Sequence, residues 1–134
     1  SHYDHITGGK PFKDLGARFI AHKNAKAQLE RLQPPNIVLP DEVVDSKHTL
    51  TLGGTTLELL YLGPNHSDST LVMRLPKERI IFIVDLLPVG QMPGRGMIDF
   101  YPFDAEESFE RLLVDTAVAP NPTKVSRHPI QTAT

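Results

Sequence analysis

The sequence predicts an α/β (α+β) layered sandwich, built as one domain over residues 1–134. Three observations lead there. Ala25, Leu29 and Leu32 stand at i, i+4 and i+7 within Lys23 to Leu32, the spacing of one helical face. Apolar and polar residues alternate on either side of Gly53-Gly54, which is the pattern of a β-hairpin. Ile80-Ile81-Phe82-Ile83-Val84 is apolar at every position, as in a strand covered on both faces. The strands come as hairpins and not in regular βαβ alternation, so packed layers are favoured over a doubly wound sheet.

Each element follows in order. Lys10 to Leu15 reads as a helical turn stopped by Gly16 in a C′ position. Ala17 to Ala21 reads as a short strand, and Lys23 to Leu32 as a helix ended by Pro34-Pro35. Pro40 to Lys47 is an acidic connector. Thr49 to Leu52 and Thr55 to Leu62 form the hairpin, and Ser69 to Leu75 and Arg79 to Val84 are the next two strands, turned by Pro76-Lys77-Glu78. Leu86 to Pro102 is a long loop with a Pro93-Gly94-Arg95-Gly96 turn, and a loop of that length in a compact domain is often functional. Asp104 is expected to cap a helix, with Glu107 closing a capping box and Phe109, Leu112 and Leu113 on the apolar face. Thr116 to Ala119 reads as a last strand, and residues 120–134 as an irregular tail.

Composition narrows the function classes. The apolar fraction of 40% and charged fraction of 22% are those of a soluble globular protein. No apolar run approaches the ~18 residues of a membrane helix, and no secretory signal is visible. Net charge is −2 with no basic stripe, so neither nucleic acid nor an anionic membrane is an expected partner. There is no cysteine and there are six histidines. A transition-metal site in this chain must therefore use imidazole and carboxylate, and the compartment, cytoplasmic or periplasmic, stays open.

Three clusters carry candidate chemistry. The first is Ser1-His2-Tyr3-Asp4-His5-Ile6-Thr7-Gly8-Gly9. Zinc accepts neutral imidazole nitrogen and carboxylate oxygen, and so short a spacing lets one tight segment present several ligands. A helix would not place His2, Asp4 and His5 on one face, so a loop is expected, with the glycines turning the backbone out of it. The second is Gly63-Pro64-Asn65-His66-Ser67-Asp68, between two strands, where a loop projects His66 from a rigid sheet. The third is Asp85, which follows five apolar residues. A carboxylate at the end of such a strand is costly to bury without a cation or hydrogen-bond donors.

In this order the clusters resemble the metallo-β-lactamase superfamily, whose metal loop reads His-x-His-x-Asp-His and is often followed by Gly-Gly. His2, Asp4 and His5 match the second His, the Asp and the last His; the first would stand two positions before His2, outside this sequence. The helix-strand-helix run to Leu32, with Ala21-His22, the hairpin, the Gly-x-x-His loop at His66 and the apolar strand ending in Asp85 continue the match to about residue 113. Val84-Asp85 stands where many members have Gly-Asp. The family's last His has no clear counterpart at Ala119 to Thr123, and His128, in other surroundings, is not read as its replacement. His22 and His48 are read as surface or strand residues.

The resemblance implies an incomplete αββα fold and a zinc-dependent hydrolase with one or two ions. His2 and His66, with the first His of the motif, would serve one metal, Asp4 and His5, with Asp85 and another His, the other, and Asp4 would also orient the attacking water. The substrate would be a small molecule: an ester, thioester, lactone, amide or phosphoester. Two other readings stay open. One is a mononuclear iron oxygenase on the same scaffold. The other is a metal-poor remnant that binds a partner, or forms a homo-oligomer through a sheet left exposed by missing N-terminal strands.

Overall fold

A computed structural model describes residues 2–86 and 100–115 of the chain. Two helical segments open it, α1 (Tyr3–Ile6) and α2 (Lys10–Asp14). They are followed by β1 (Ile20–His22), α3 (Lys23–Leu32), β2 (Glu42–Val44), β3 (Lys47–Leu52), β4 (Thr55–Leu60), β5 (Val72–Leu75), β6 (Ile80–Phe82) and α4 (Pro102–Asp115). β1 and β2 pair in parallel, with Ala21 opposite Val43. The other four strands form an antiparallel sheet in the order β3-β4-β5-β6. Helices and sheets are mixed in layers, as the sequence predicts.

Local chemistry explains most of the boundaries. α2 ends where Gly16 turns left-handed at φ +88° and donates its N–H to the Lys13 carbonyl at 2.9 Å, a role that favours glycine. α3 buries Ala25 and Leu29 and ends at Gln33, itself left-handed at φ 44°. The β3–β4 hairpin turns through Gly53 and Gly54, both with positive φ, which only glycine adopts without strain. Across β3, β4 and β5, Glu58 accepts from Lys47 Nζ at 2.6 Å and from Arg74 Nε at 2.6 Å, tying three strands through one carboxylate.

Several expectations are corrected. The acidic connector holds a strand, β2, so β1-α3-β2 is a βαβ unit in a chain read as lacking that alternation. β1 starts at Ile20 and not at Ala17. Among the described residues the apolar run 80–84 is not a central, doubly covered strand. Among the described residues β6 is the outer strand of its sheet, and Ile80 and Phe82 are 51% and 54% exposed. α4 begins at Pro102, which places Asp104 inside the first turn and not at the cap. Proline's fixed φ and missing N–H suit the first helical position, which is why the helix starts there. Most of the long loop, at residues 87–99, and the expected last strand and tail, at 116–134, lie outside the described residues.

The buried core joins the four-stranded sheet to α4. Leu60 and Leu62, Val72, Leu86 and Leu112 form one cluster, with Ile83 and Phe109 packed against it. This core fixes the floor from which the β4–β5 loop and the segment after β6 project.

Candidate functional site

The first cluster folds as a single helical turn, α1, with His2 at its N-cap, and not as the expected loop. The His5 N–H donates to the His2 carbonyl at 3.1 Å, so one turn sets His2 and His5 three positions apart. The two glycines then do different jobs. Gly8 turns left-handed at φ +80° with open space around it. Gly9 has an ordinary backbone, but a Cβ there would come within 2.8 Å of the Phe19 ring and 3.3 Å of Val38.

His66 reaches the same place from the β4–β5 loop. Its Nε2 lies 3.1 Å from Nδ1 of His2, and the two rings meet edge to face with centroids 4.7 Å apart. Asp85 arrives from a third direction, three residues beyond β6. It takes the left-handed conformation at φ 59°, which is uncommon outside glycine and costs about 1–2 kcal/mol. Strain of this sort persists where the surrounding structure imposes it, and it is concentrated at functional sites. The Asp85 carboxylate stands 2.6 Å from Nε2 of His5 and 3.9 Å from Nε2 of His66. Three separate stretches of chain therefore bring His2, His5, His66 and Asp85 together. Asp4 is at the margin, its side chain 79% exposed and 3.5 Å from Nε2 of His5.

These four line one wall of a cavity of about 330 Å³. Ile20, Leu59 and Met73 form an apolar part of the lining, and Ser67, Ser69 and Thr70 add a knot of hydroxyls. Ser67 Oγ is 2.9 Å from Thr70 Oγ1 and 3.3 Å from Ser69 Oγ. A cleft that combines apolar lining with a few convergent polar groups is the usual form of a small-molecule site.

The donor types suit zinc in kind: imidazole nitrogen and carboxylate oxygen, with no sulfur. Two nitrogens held by one tetrahedral zinc, each at ~2.0–2.1 Å, stand about 3.3–3.4 Å apart, close to the 3.1 Å between His2 and His66. As the side chains stand, no three His, Asp or Glu residues among those described already form a set that could hold a metal ion. His5 is turned to Asp85 and His66 to His2, as two pairs in contact.

Sequence reasoning missed the residues that support this site. His22 is a strand residue, as expected, but it is buried, with only 1% of its surface exposed. Its Nε2–H donates to the Asp45 carbonyl at 3.1 Å, its Nδ1 accepts from the Asn24 N–H at 3.3 Å, and its ring stacks on Tyr61 at 3.9 Å. Burial lowers its pKa from the ordinary value. Burial likewise raises the pKa of Tyr61. The available signal was position: His22 stands just before a helix, where a side-chain acceptor caps the first turn. His48 sits on β3, 3.2 Å from Glu42, and takes no part in the site. His128 lies outside the described residues.

No protein-family model and no curated protein sequence matches this chain. Its likeness is to solved structures. A metallo-β-lactamase from Pontibacter korlensis superposes with a TM-score of 0.76 at 21% identity, over 88% of this chain and 54% of that one. The metallo-β-lactamase IND-7 gives 0.70 at 14% identity, over 81% and 49%. The DIM-1 metallo-β-lactamase, in a structure exposed to ceftazidime, gives 0.68 at 20% identity, over 81% and 48%. The chain thus has a metallo-β-lactamase-like fold, spanning about half the length of the structures it matches.

Proposed function

We propose that this chain carries part of the active site of a metal-dependent hydrolase, with zinc as the metal. The observation behind this reading is the convergence of His2, His5, His66 and Asp85, from α1, the β4–β5 loop and the segment after β6, on one wall of a cavity. The metallo-β-lactamase-like fold supports it, since the matched structures bear that name.

His2 and His66 would hold one ion through Nδ1 and Nε2, the atoms that already face each other. His5 and Asp85, with Asp4 beside them, would hold a second. Metal ligands must be deprotonated to donate lone pairs, so loading becomes weaker as pH falls. When bound, zinc supplies Lewis acidity and a nucleophile at neutral pH by drawing the pKa of its water toward ~7. Asp4 keeps a solvent-exposed carboxylate at the rim, where it can accept a proton and orient water. Ile20, Leu59 and Met73 receive an apolar part of the substrate and keep water from that side of the cavity. The substrate class is a small ester, thioester, lactone, amide or phosphoester.

Hydrolysis of a panel of those substrates by zinc-loaded protein tests the proposal. Turnover of at least one is expected, abolished by a chelator and restored by zinc. His66→Ala should reduce it by more than the ~10–100-fold that loss of an outer partner costs. Turnover indifferent to chelator and to His66→Ala would contradict the assignment. Activity that needs iron and consumes oxygen would replace it with oxygenase chemistry.

A further inference from the structure

Three carbonyls of the loop that carries His66 are met from outside the loop. The loop leaves β4 at Leu60 and does not rejoin the sheet until Val72, so the Leu62, Pro64 and Asp68 carbonyls have no partner among the described strands. Carbonyls withdrawn from water are costly to leave unpaired, and here side chains of two helices meet all three, Leu62 in a buried bond and Pro64 and Asp68 in part-buried ones. Ser108 on α4, fully buried, lies 3.1 Å from both the Leu62 and Pro64 carbonyls and shares its hydroxyl proton between them. Asn24 on α3 donates its amide to the Asp68 carbonyl at 2.9 Å. The loop is thus pinned two residues before His66 and two residues after it, from opposite helices.

Between those pins the loop holds itself. Asn65, fully buried, donates its side-chain amide to the Gly63 carbonyl at 2.9 Å and accepts the His66 N–H at 2.7 Å. Its own carbonyl accepts the Tyr101 N–H at 2.8 Å, just ahead of α4. Gly63 has φ +105°, and a Cβ there would lie 3.5 Å from Ser108 Oγ, so the backbone and the clamp meet closely. Behind Asn24, His22 accepts the Asn24 N–H and stacks on Tyr61 at the start of the same loop.

We propose that Asn24 and Ser108 are positioning residues that aim the His66 imidazole at His2 and Asp85. Neither touches the reacting groups; both act through the loop. The consequence for metal binding rests on the hydrolase reading above, whereas the consequence for the loop does not. Asn24→Asp separates donation from filling space, because a carboxylate of the same size accepts but cannot donate to a carbonyl.

The test is amide hydrogen exchange on metal-free protein, followed by titration with cobalt(II). In Asn24→Asp and in Ser108→Ala, exchange should quicken at the amides of Leu62, Gly63 and residues 65–68 and stay unchanged in the β3–β4 hairpin. Cobalt affinity should fall about 10–100-fold. Glu30→Ala, on an exposed part of α3, should do neither. Unchanged loop exchange in both variants would overturn the proposal, as would equal quickening throughout the hairpin, which would mean a general loss of stability. If Asn24→Asp does not fold, Ser108→Ala decides alone. Wild-type protein that binds no cobalt, with loop exchange still quickened in the variants, would overturn the hydrolase reading and leave the positioning role standing.

Discussion

His22 shows how one side chain sets a pH dependence. Its Nδ1 must accept from Asn24 while its Nε2–H donates to Asp45, so only the neutral ring makes both bonds. Burial lowers its pKa in the folded state below the ordinary 6.5. As pH falls through about 6.5 the unfolded chain binds a proton that the folded chain refuses, and stability declines until the folded value is reached. Stability in thermal unfolding should therefore decline as pH falls below about 6.5. His22→Gln, which keeps a donor and an acceptor but does not titrate, should flatten that part of the profile. Glu58 acts lower on the scale. Its bonds first to Lys47 and then to Arg74 depress its pKa, so its contribution is present above its ordinary value of 4.5 and fades as pH falls through the folded value.

At the level of elements, glycine again separates two causes. Gly9→Ala leaves the backbone unstrained but sets a methyl within 2.8 Å of the Phe19 ring, where α2 begins. A loss of about 1–3 kcal/mol is expected by denaturant titration, and Phe19→Leu should recover part of it by making room. Elements with many local signals were legible in the sequence. α3 has its periodicity and its stop at Pro34-Pro35, and the hairpin has its alternation and Gly53-Gly54. β2 was not legible because three residues show no period, and their pairing with β1 is set by the fold. The apolar run of β6 predicts cover on both faces, and among the described residues that cover is missing, because an apolar period alone does not tell a central strand from an outer one. The site divides in the same way. His2, His5, His66 and Asp85 stand out by residue type and order, whereas His22, Asn24 and Ser108 act through contacts distant in sequence, which no motif records.

For the molecule as a whole, two surfaces decide behaviour. The inner one is the cluster of Leu60, Leu62, Val72, Leu86 and Leu112. Leu112→Ala would leave a cavity between α4 and the sheet and should cost about 2–5 kcal/mol in thermal or denaturant unfolding. It should also loosen the β4–β5 loop, because Ser108 rides on the same helix. The outer one is β6, which among the described residues is an outer strand with Ile80, Ile81 and Phe82 exposed, the form of edge that invites pairing with another chain. Phe82→Lys should raise the protein concentration at which light scattering first appears.

The assignment of the His and Asp cluster to a metal is tested most directly by metal content per chain, measured by elemental mass spectrometry on tag-free protein of verified intact mass. One or two zinc atoms per chain are expected, lost in His66→Ala while circular dichroism still reports a folded protein. A wild-type chain that is folded and carries no zinc, even after dialysis against it, would contradict the account.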